Sequence, residues 1–166
     1  MRVIQKITLI ILIGIISCKG KNNNEAVSDN QSEPDINKVS LTDLKGNSIN
    51  LKKYKGKTVF INFWATWCRP CLEEMPSIAK AMEILKDKNI EFLFASNETP
   101  DQIEKFKANH SYPFNYVRAE NLEDLNIMSL LTTFIFNPEG KLVFSDMGYR
   151  KWDAQENIDL ILNSTK

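Results

Sequence analysis

The sequence predicts an α/β domain with a mixed β-sheet at its centre. Three observations carry that expectation. Thr58-Val59-Phe60-Ile61-Asn62-Phe63-Trp64 is a nearly continuous β-branched and aromatic run, the pattern of a central strand buried on both faces. Behind it, Leu72, Met75, Ile78, Ala79, Met82 and Leu85 recur at helical spacing. Segments of both kinds then follow in the order ββ-β-α-β-α-β-α-β-β-α, which suggests helices on both faces of the sheet. A chain of 166 residues, 43% of them hydrophobic, supplies one such domain and an appendage.

The appendage comes first. Arg2 and Lys6 precede ten uncharged residues, Ile7 to Ile16. A spanning helix needs about 20 apolar residues. Ten with positive charge in front form the apolar region of a secretory signal, placed at residues 1–17. Ile15-Ile16-Ser17-Cys18 resembles a bacterial lipobox. That likeness implies diacylglycerol on the Cys18 sulfur, cleavage before Cys18 and acylation of the new amine. A buried apolar N-terminus, or a short anchor with an incidental cysteine, is the alternative. Residues 19–37 are rich in Asn, Ser and charge and hold almost no apolar residue. Such a stretch cannot offset its ordering entropy by burial and reads, with Cys18, as a flexible tether over 18–37. The folded domain is expected over 38–166.

Within it, Val39–Leu41 and Ser48–Leu51 flank a Gly46-Asn47 turn signal, an N-terminal β-hairpin. After the central strand, the helix from Pro70 contains Pro76, which should kink it. Ile90–Ala95 is a further strand. Pro100–Asn109 is a helix with Thr99 as N-cap and Pro100 at its first position. A short strand over 114–117 and a short helix over Asn121–Asn126 come next. Strands at Thr132–Phe136 and Lys141–Ser145 surround the turn Asn137-Pro138-Glu139-Gly140, and Asp153–Asn163 is a terminal helix. The six phenylalanines at 60, 63, 92, 94, 134 and 136 fall in strands and are read as core.

Charge and composition exclude some functions. With 21 basic and 21 acidic side chains there is no electrostatic footprint for nucleic acid. Three cysteines are too few for a disulfide scaffold, and with a single histidine they make an unconvincing zinc site. His110, beside Ser111-Tyr112-Pro113, reads as a solvated loop residue. No cofactor and no metal is implied.

The chemistry lies in Cys68-Arg69-Pro70-Cys71, between the central strand and a helix. At a helix N-terminus the first sulfur meets free backbone N–H groups and the positive end of the helix dipole. Both favour the thiolate, which is the nucleophile. Arg69 adds a neighbouring cation. The second sulfur lies about one turn further along, close enough to attack a mixed disulfide on the first. Pro70 suits a first turn. Half a metal site, or a structural disulfide too short to constrain the unfolded chain, are the alternatives.

The run from Val59 through Cys68-Arg69-Pro70-Cys71 to Pro76 resembles membrane-tethered extracytoplasmic thioredoxins of the TlpA/ResA type. Leu51–Lys57 and Thr132–Lys141 extend the likeness over roughly residues 38–166. It implies a thioredoxin fold and a thiol–disulfide oxidoreductase acting by dithiol–disulfide exchange, with Cys68 attacking and Cys71 resolving. Glu74 takes the place of the family's acidic residue three positions after the second cysteine, with a proton-relay role towards Cys71. Asn62 stands where cytoplasmic thioredoxins bury an aspartate. Trp67, Arg69, Pro70, Leu131 and Thr132 would line the substrate groove. The implied partners are proteins with disulfides, including apocytochrome c, a membrane thiol-electron relay as reductant, and the membrane through a lipid anchor. The implied location is the cell envelope, facing the periplasm or extracytoplasmic side.

One departure stands out. The family carries a cis-proline immediately before Thr-Thr-Phe, and this chain has Leu131. A cis bond before a non-proline residue costs about 2.5–4 kcal/mol, against roughly 0.5–1 before proline. Leu131 therefore either follows a trans bond with a reshaped groove or carries strain. Three rival functions are weighed. A peroxiredoxin-like peroxidase wants Pro-x-x-x-Thr-x-x-Cys, whereas Ile61 and Ala65 occupy those positions. A copper-delivery module of this fold wants Cys-x-x-x-Cys and a distal histidine. A redox-inactive module would follow if the lost proline abolished catalysis.

Overall fold

The computed structural model describes residues 35–166. The signal, Cys18 and most of the tether lie outside them. Six strands form one sheet: β1 (Leu41–Thr42), β2 (Thr58–Phe63), β3 (Ile90–Ser96), β4 (Asn115–Ala119), β5 (Thr132–Phe136) and β6 (Leu142–Met147). Their order is β1-β4-β3-β2-β5-β6. Three helices accompany them, α1 (Arg69–Ile84), α2 (Pro100–Asn109) and α3 (Gln155–Asn163). β2, β3 and β4 run parallel, and β5 and β6 add antiparallel. This is the mixed-sheet α/β architecture that the alternation of segments predicts.

β2 sits at the centre with all six residues buried. Because side chains alternate along a strand, neighbours on β2, β3 and β5 enter opposite cores. Phe60, Phe92, Phe94 and Ile135 join one cluster, which also takes Cys71, Met75, Ile78, Ile103, Phe106, Trp152, Ile158 and Ile161. Val59, Ile61, Phe63, Leu93, Phe134 and Phe136 join the other, with Ile36, Leu41, Leu51, Tyr54, Leu125 and Ile127. The buried residues of all three α-helices thus serve one face. The expectation of α-helices on both faces is corrected: loops and 3-10 turns cover the second.

The cause lies in two segments. Residues 122–126 form successive turns rather than a helix, and Asn126 ends them at φ 55°. The predicted N-terminal hairpin also reduces to less. β1 pairs with β4, only an isolated bridge joins Thr42 to Ser48, and Leu51–Tyr54 winds into a 3-10 turn capped by Asn50. The turn signal itself holds, with Gly46 at φ 86°. Packing also extends past the expected boundary at Lys38: Asp35 bridges Lys141, and Ile36 is buried with its N–H on Gly140 O.

α2 matches its predicted range, and Thr99 with Gln102 closes a capping box around its start. α1 continues through Pro76, which lies on its exposed side. The six strand phenylalanines are all buried. Among the described residues no helix is long and apolar enough to cross a membrane.

Candidate active site

β2 delivers the chain to the sheet's edge at Phe63, and Trp64 and Ala65 remain fully buried there. Cys68 N–H donates to Ala65 O, and Cys68 becomes the N-cap of α1 without a side-chain cap bond of its own. Cys68 and Cys71 are disulfide-bonded, their Cα atoms 5.3 Å apart. Cys68 is 8% exposed and Cys71 1%, so an incoming thiolate meets Cys68 first. The helix start carries unpaired N–H groups and the positive dipole end beside that sulfur.

Glu98, which the sequence reading passed over, fixes the loop before Cys68. Its buried carboxylate accepts from Thr66 N at 2.7 Å, from Thr66 Oγ1 at 2.6 Å and from Ser96 Oγ at 3.2 Å. A polar residue between a strand and a helix cap looks solvated in a sequence. Only the approach of residues 66 and 98 reveals its task.

Glu74 lies inside, 1% exposed, three residues beyond Cys71 on α1. Residues so spaced share a helix face. Its carboxylate accepts from Trp152 Nε1 at 2.7 Å, Arg150 N at 2.9 Å and Asn62 Nδ2 at 3.3 Å. Burial raises its pKa to about 7, against the lowering effect of those donors. Asn62 also donates to Thr133 Oγ1 at 3.1 Å, so the group is braced from β2, β5 and the segment before α3. Trp152 and Arg150 are the second omission. A tryptophan amid Arg150, Lys151 and Asp153 reads as a surface residue, yet Trp152 is 1% exposed.

The predicted groove residues separate into two groups. Trp67, Cys68, Arg69, Pro70 and Leu131 line an open groove of about 620 Å³ with Asn97, Leu122, Ile127, Met128, Ser129 and Leu130. Thr132 does not line it. Thr132 is buried, and its hydroxyl donates to Ser129 O at 2.8 Å. Arg69 is turned outward, and its Nε donates to Glu73 Oε1 at 2.9 Å. Its charge is therefore partly spent on Glu73 rather than on the sulfur.

Leu131 resolves the alternative set by the missing proline. The described residues contain no cis peptide bond, and Leu131 takes φ 68°. Its N–H donates to Phe63 O at 3.1 Å and its C=O accepts from Gly148 N at 2.9 Å. Both backbone groups are thus hydrogen-bonded within the domain. The side chain is buried in the cluster that holds Cys68 and Cys71. That burial and the two hydrogen bonds hold a branched residue in the left-handed region, where a side chain costs roughly 1–2 kcal/mol.

His110 lies at the C-cap of α2, exposed, with Nδ1 2.9 Å from Phe106 O. Among the described residues no three His, Cys, Asp or Glu side chains gather as a metal site.

Comparison with known proteins places this geometry. A sequence profile described as the AhpC/TSA family matches residues 33–145. The chain is 36% identical over 121 residues to the thiol-disulfide oxidoreductase ResA of Geobacillus kaustophilus, covering 70% of this chain and 68% of that one. It is 34% identical over 107 residues to ResA of Bacillus thuringiensis, covering 62% of each, so the match spans less than two thirds of that relative. Among solved structures, a thiol:disulfide interchange protein of the thioredoxin family from Chlorobium tepidum superposes with TM-score 0.62 at 22% identity, over 74% of this chain and 92% of that one. The fold is thioredoxin-like, as the resemblance implied.

Proposed function

We propose that this chain, which belongs to the AhpC/TSA family, is a thiol–disulfide oxidoreductase that reduces disulfides in extracytoplasmic proteins. The observation that carries the reading is the Cys68–Cys71 pair on the first turn of α1, with Cys68 as N-cap and the more exposed sulfur. In the reduced pair, Cys68 thiolate attacks one sulfur of a substrate disulfide. A Cys68–substrate disulfide forms, and the other substrate sulfur leaves as thiolate. Cys71 then loses its proton and attacks Cys68 Sγ, releasing the second substrate thiolate. Two electrons pass from the pair to the substrate, and a membrane thiol-electron relay returns them. Glu74, a carboxyl with a pKa near 7 on the same helix face as Cys71, takes the Cys71 proton.

The relatives named ResA support this chemistry, and apocytochrome c cysteines are the substrate class proposed. A peroxidase is disfavoured because Ile61 and Ala65, both fully buried and apolar, stand where that chemistry wants proline and threonine. Cys18 is proposed as the lipidation site that holds the domain at the membrane. Mass spectrometry of the mature N-terminus should find acyl chains on Cys18, and an unmodified Cys18 in membrane-bound protein would end that part of the proposal.

The activity is tested with Cys71→Ser expressed in the native cell envelope. The variant should accumulate disulfide-linked partners on Cys68, and the parent protein should reduce insulin. No trapped partner and no insulin reduction would leave the cysteine pair without the proposed role.

A further inference from the structure

The end of the sheet opposite the cysteines carries a feature that the redox chemistry does not use. Leu51–Tyr54 and the residues after it place Lys52, Lys53, Lys55 and Lys57 within six positions. Lys52, Lys55 and Lys57 rim a pocket of about 290 Å³ whose wall includes Ile36, Leu51, Tyr54, Pro138 and Glu139. Lys53 Nζ lies 4.8 Å from the Tyr54 ring centre. Lys141, exposed, follows the 137–140 turn, whose residues line that pocket. Acidic groups there are Asp35 and Glu139, both exposed, and Glu91, which is hydrogen-bonded to Tyr54.

These lysines stand close together and differ in their pairing from three lysines on the helices and the turn after α1. Lys80, Lys86 and Lys107 each pair with a carboxylate. Lys52, Lys53, Lys55, Lys57 and Lys141 take part in none of the ion pairs of the described residues. A chain of balanced overall charge thus gathers five lysines at one end, beside a recess with apolar residues in its wall. Gly56 N–H bonds Pro138 O, which holds the two halves of the rim together.

We infer that this lysine end is a docking face for an anionic phospholipid surface. Headgroup phosphates would meet the lysines, and the recess between Tyr54 and Pro138 would receive the glycerol region. Clustered lysines attract an anionic lipid surface electrostatically, within about a screening length of it. β2 runs from this end to the cysteine end, and six strand residues span about 20 Å. Docking would therefore hold Cys68 well clear of the lipid and turned towards soluble substrates. The inference stands apart from acylation of Cys18, because it concerns the orientation of the domain rather than its retention.

The test labels lysines by acetylation in the full chain on vesicles, with mass-spectrometric readout. On phosphatidylglycerol-containing vesicles, labelling of Lys52, Lys53, Lys55 and Lys57 should slow roughly tenfold relative to pure phosphatidylcholine vesicles. Labelling should recover in about 1 M salt, where the screening length falls to ~3 Å. Lys151, exposed near the cysteine end, should label equally on both, as should reduced Cys68 with an alkylating agent. Equal labelling of the four lysines on both vesicle types would overturn the inference. So would protection of Lys151 and Cys68 instead, which would put another face on the lipid. Equal protection by soluble polyglutamate would make the partner an acidic protein and overturn the lipid assignment. Flotation with neutral vesicles reports retention separately, so failure of the Cys18 proposal is distinguishable.

Discussion

Leu131 offers the sharpest test, because its backbone and its side chain pull in opposite directions. Truncating a buried leucine to alanine costs about 2–5 kcal/mol, and Leu131 is 8% exposed within the cysteine-side core. Alanine retains a Cβ in the left-handed region at φ 68° and so retains the backbone strain. Glycine loses the same burial but removes the strain, worth roughly 1–2 kcal/mol. At ordinary strand positions glycine is worse than alanine by about 0.5–1 kcal/mol. Here the order should reverse, with Leu131→Gly more stable than Leu131→Ala by about 1 kcal/mol. Leu131→Pro should be the worst of the three. It demands φ near −65° and deletes the N–H that donates to Phe63 O, which contributes about 1 kcal/mol by itself. Urea unfolding of the three oxidised variants measures the order. Alanine at or above glycine, or a proline variant more stable than the parent, would mean that residues 130–131 do not hold this conformation, and the account of a left-handed, hydrogen-bonded Leu131 would fail.

Three other outcomes follow from the site. Alkylation of the reduced protein at neutral pH should modify Cys68 before Cys71, and the reverse order would exchange their roles. Glu74 binds its proton more tightly folded than unfolded, since its pKa rises from 4.5 to about 7. Between those values the native state holds the extra proton, so stability should fall as pH rises from about 4.5 to 7 and level off above, by up to about 3 kcal/mol. Glu74→Gln should flatten that slope and slow the resolving step; an unchanged slope of urea midpoint against pH would refute the assignment. Glu98→Ala should cost about 1–3 kcal/mol by leaving Thr66 N–H unpaired, and should change the Cys68 alkylation rate severalfold. Glu104→Ala, on exposed α2, is the control expected to do neither.

Local rules made much of the fold legible. Thr99 and Pro100 mark the start of α2 in two residues, and the apolar run at 58–64 marks the central strand without outside help. The failures share a cause. β1 takes its ladder partner from β4, far along the chain, which no local signal announces, while the turn at Gly46 supports only the short Thr42–Ser48 pairing. The short segment 121–126 lacked the length for a helix, and Asn126 is a residue that tolerates positive φ. The site divides the same way. The cysteines sit on the first turn of α1 and announce themselves by spacing, and Glu74, a turn further on, by the family resemblance. Glu98, Arg150 and Trp152 act only where distant segments meet. Leu131 was visible as a missing proline, but nothing in a leucine foretells φ 68°.

The brace around Glu74 also sets an order of assembly. Cys68, Cys71 and Glu74 leave the ribosome together, whereas Arg150 and Trp152, which supply two of the three hydrogen bonds to that carboxylate, come more than seventy residues later. A chain still under synthesis, or one lacking its last segment, therefore carries the two thiols at full spacing but leaves the acid open to water with an ordinary carboxyl affinity for protons. The two sulfurs have their spacing early, while the carboxyl acquires its buried hydrogen-bond partners only when the C-terminal segment docks.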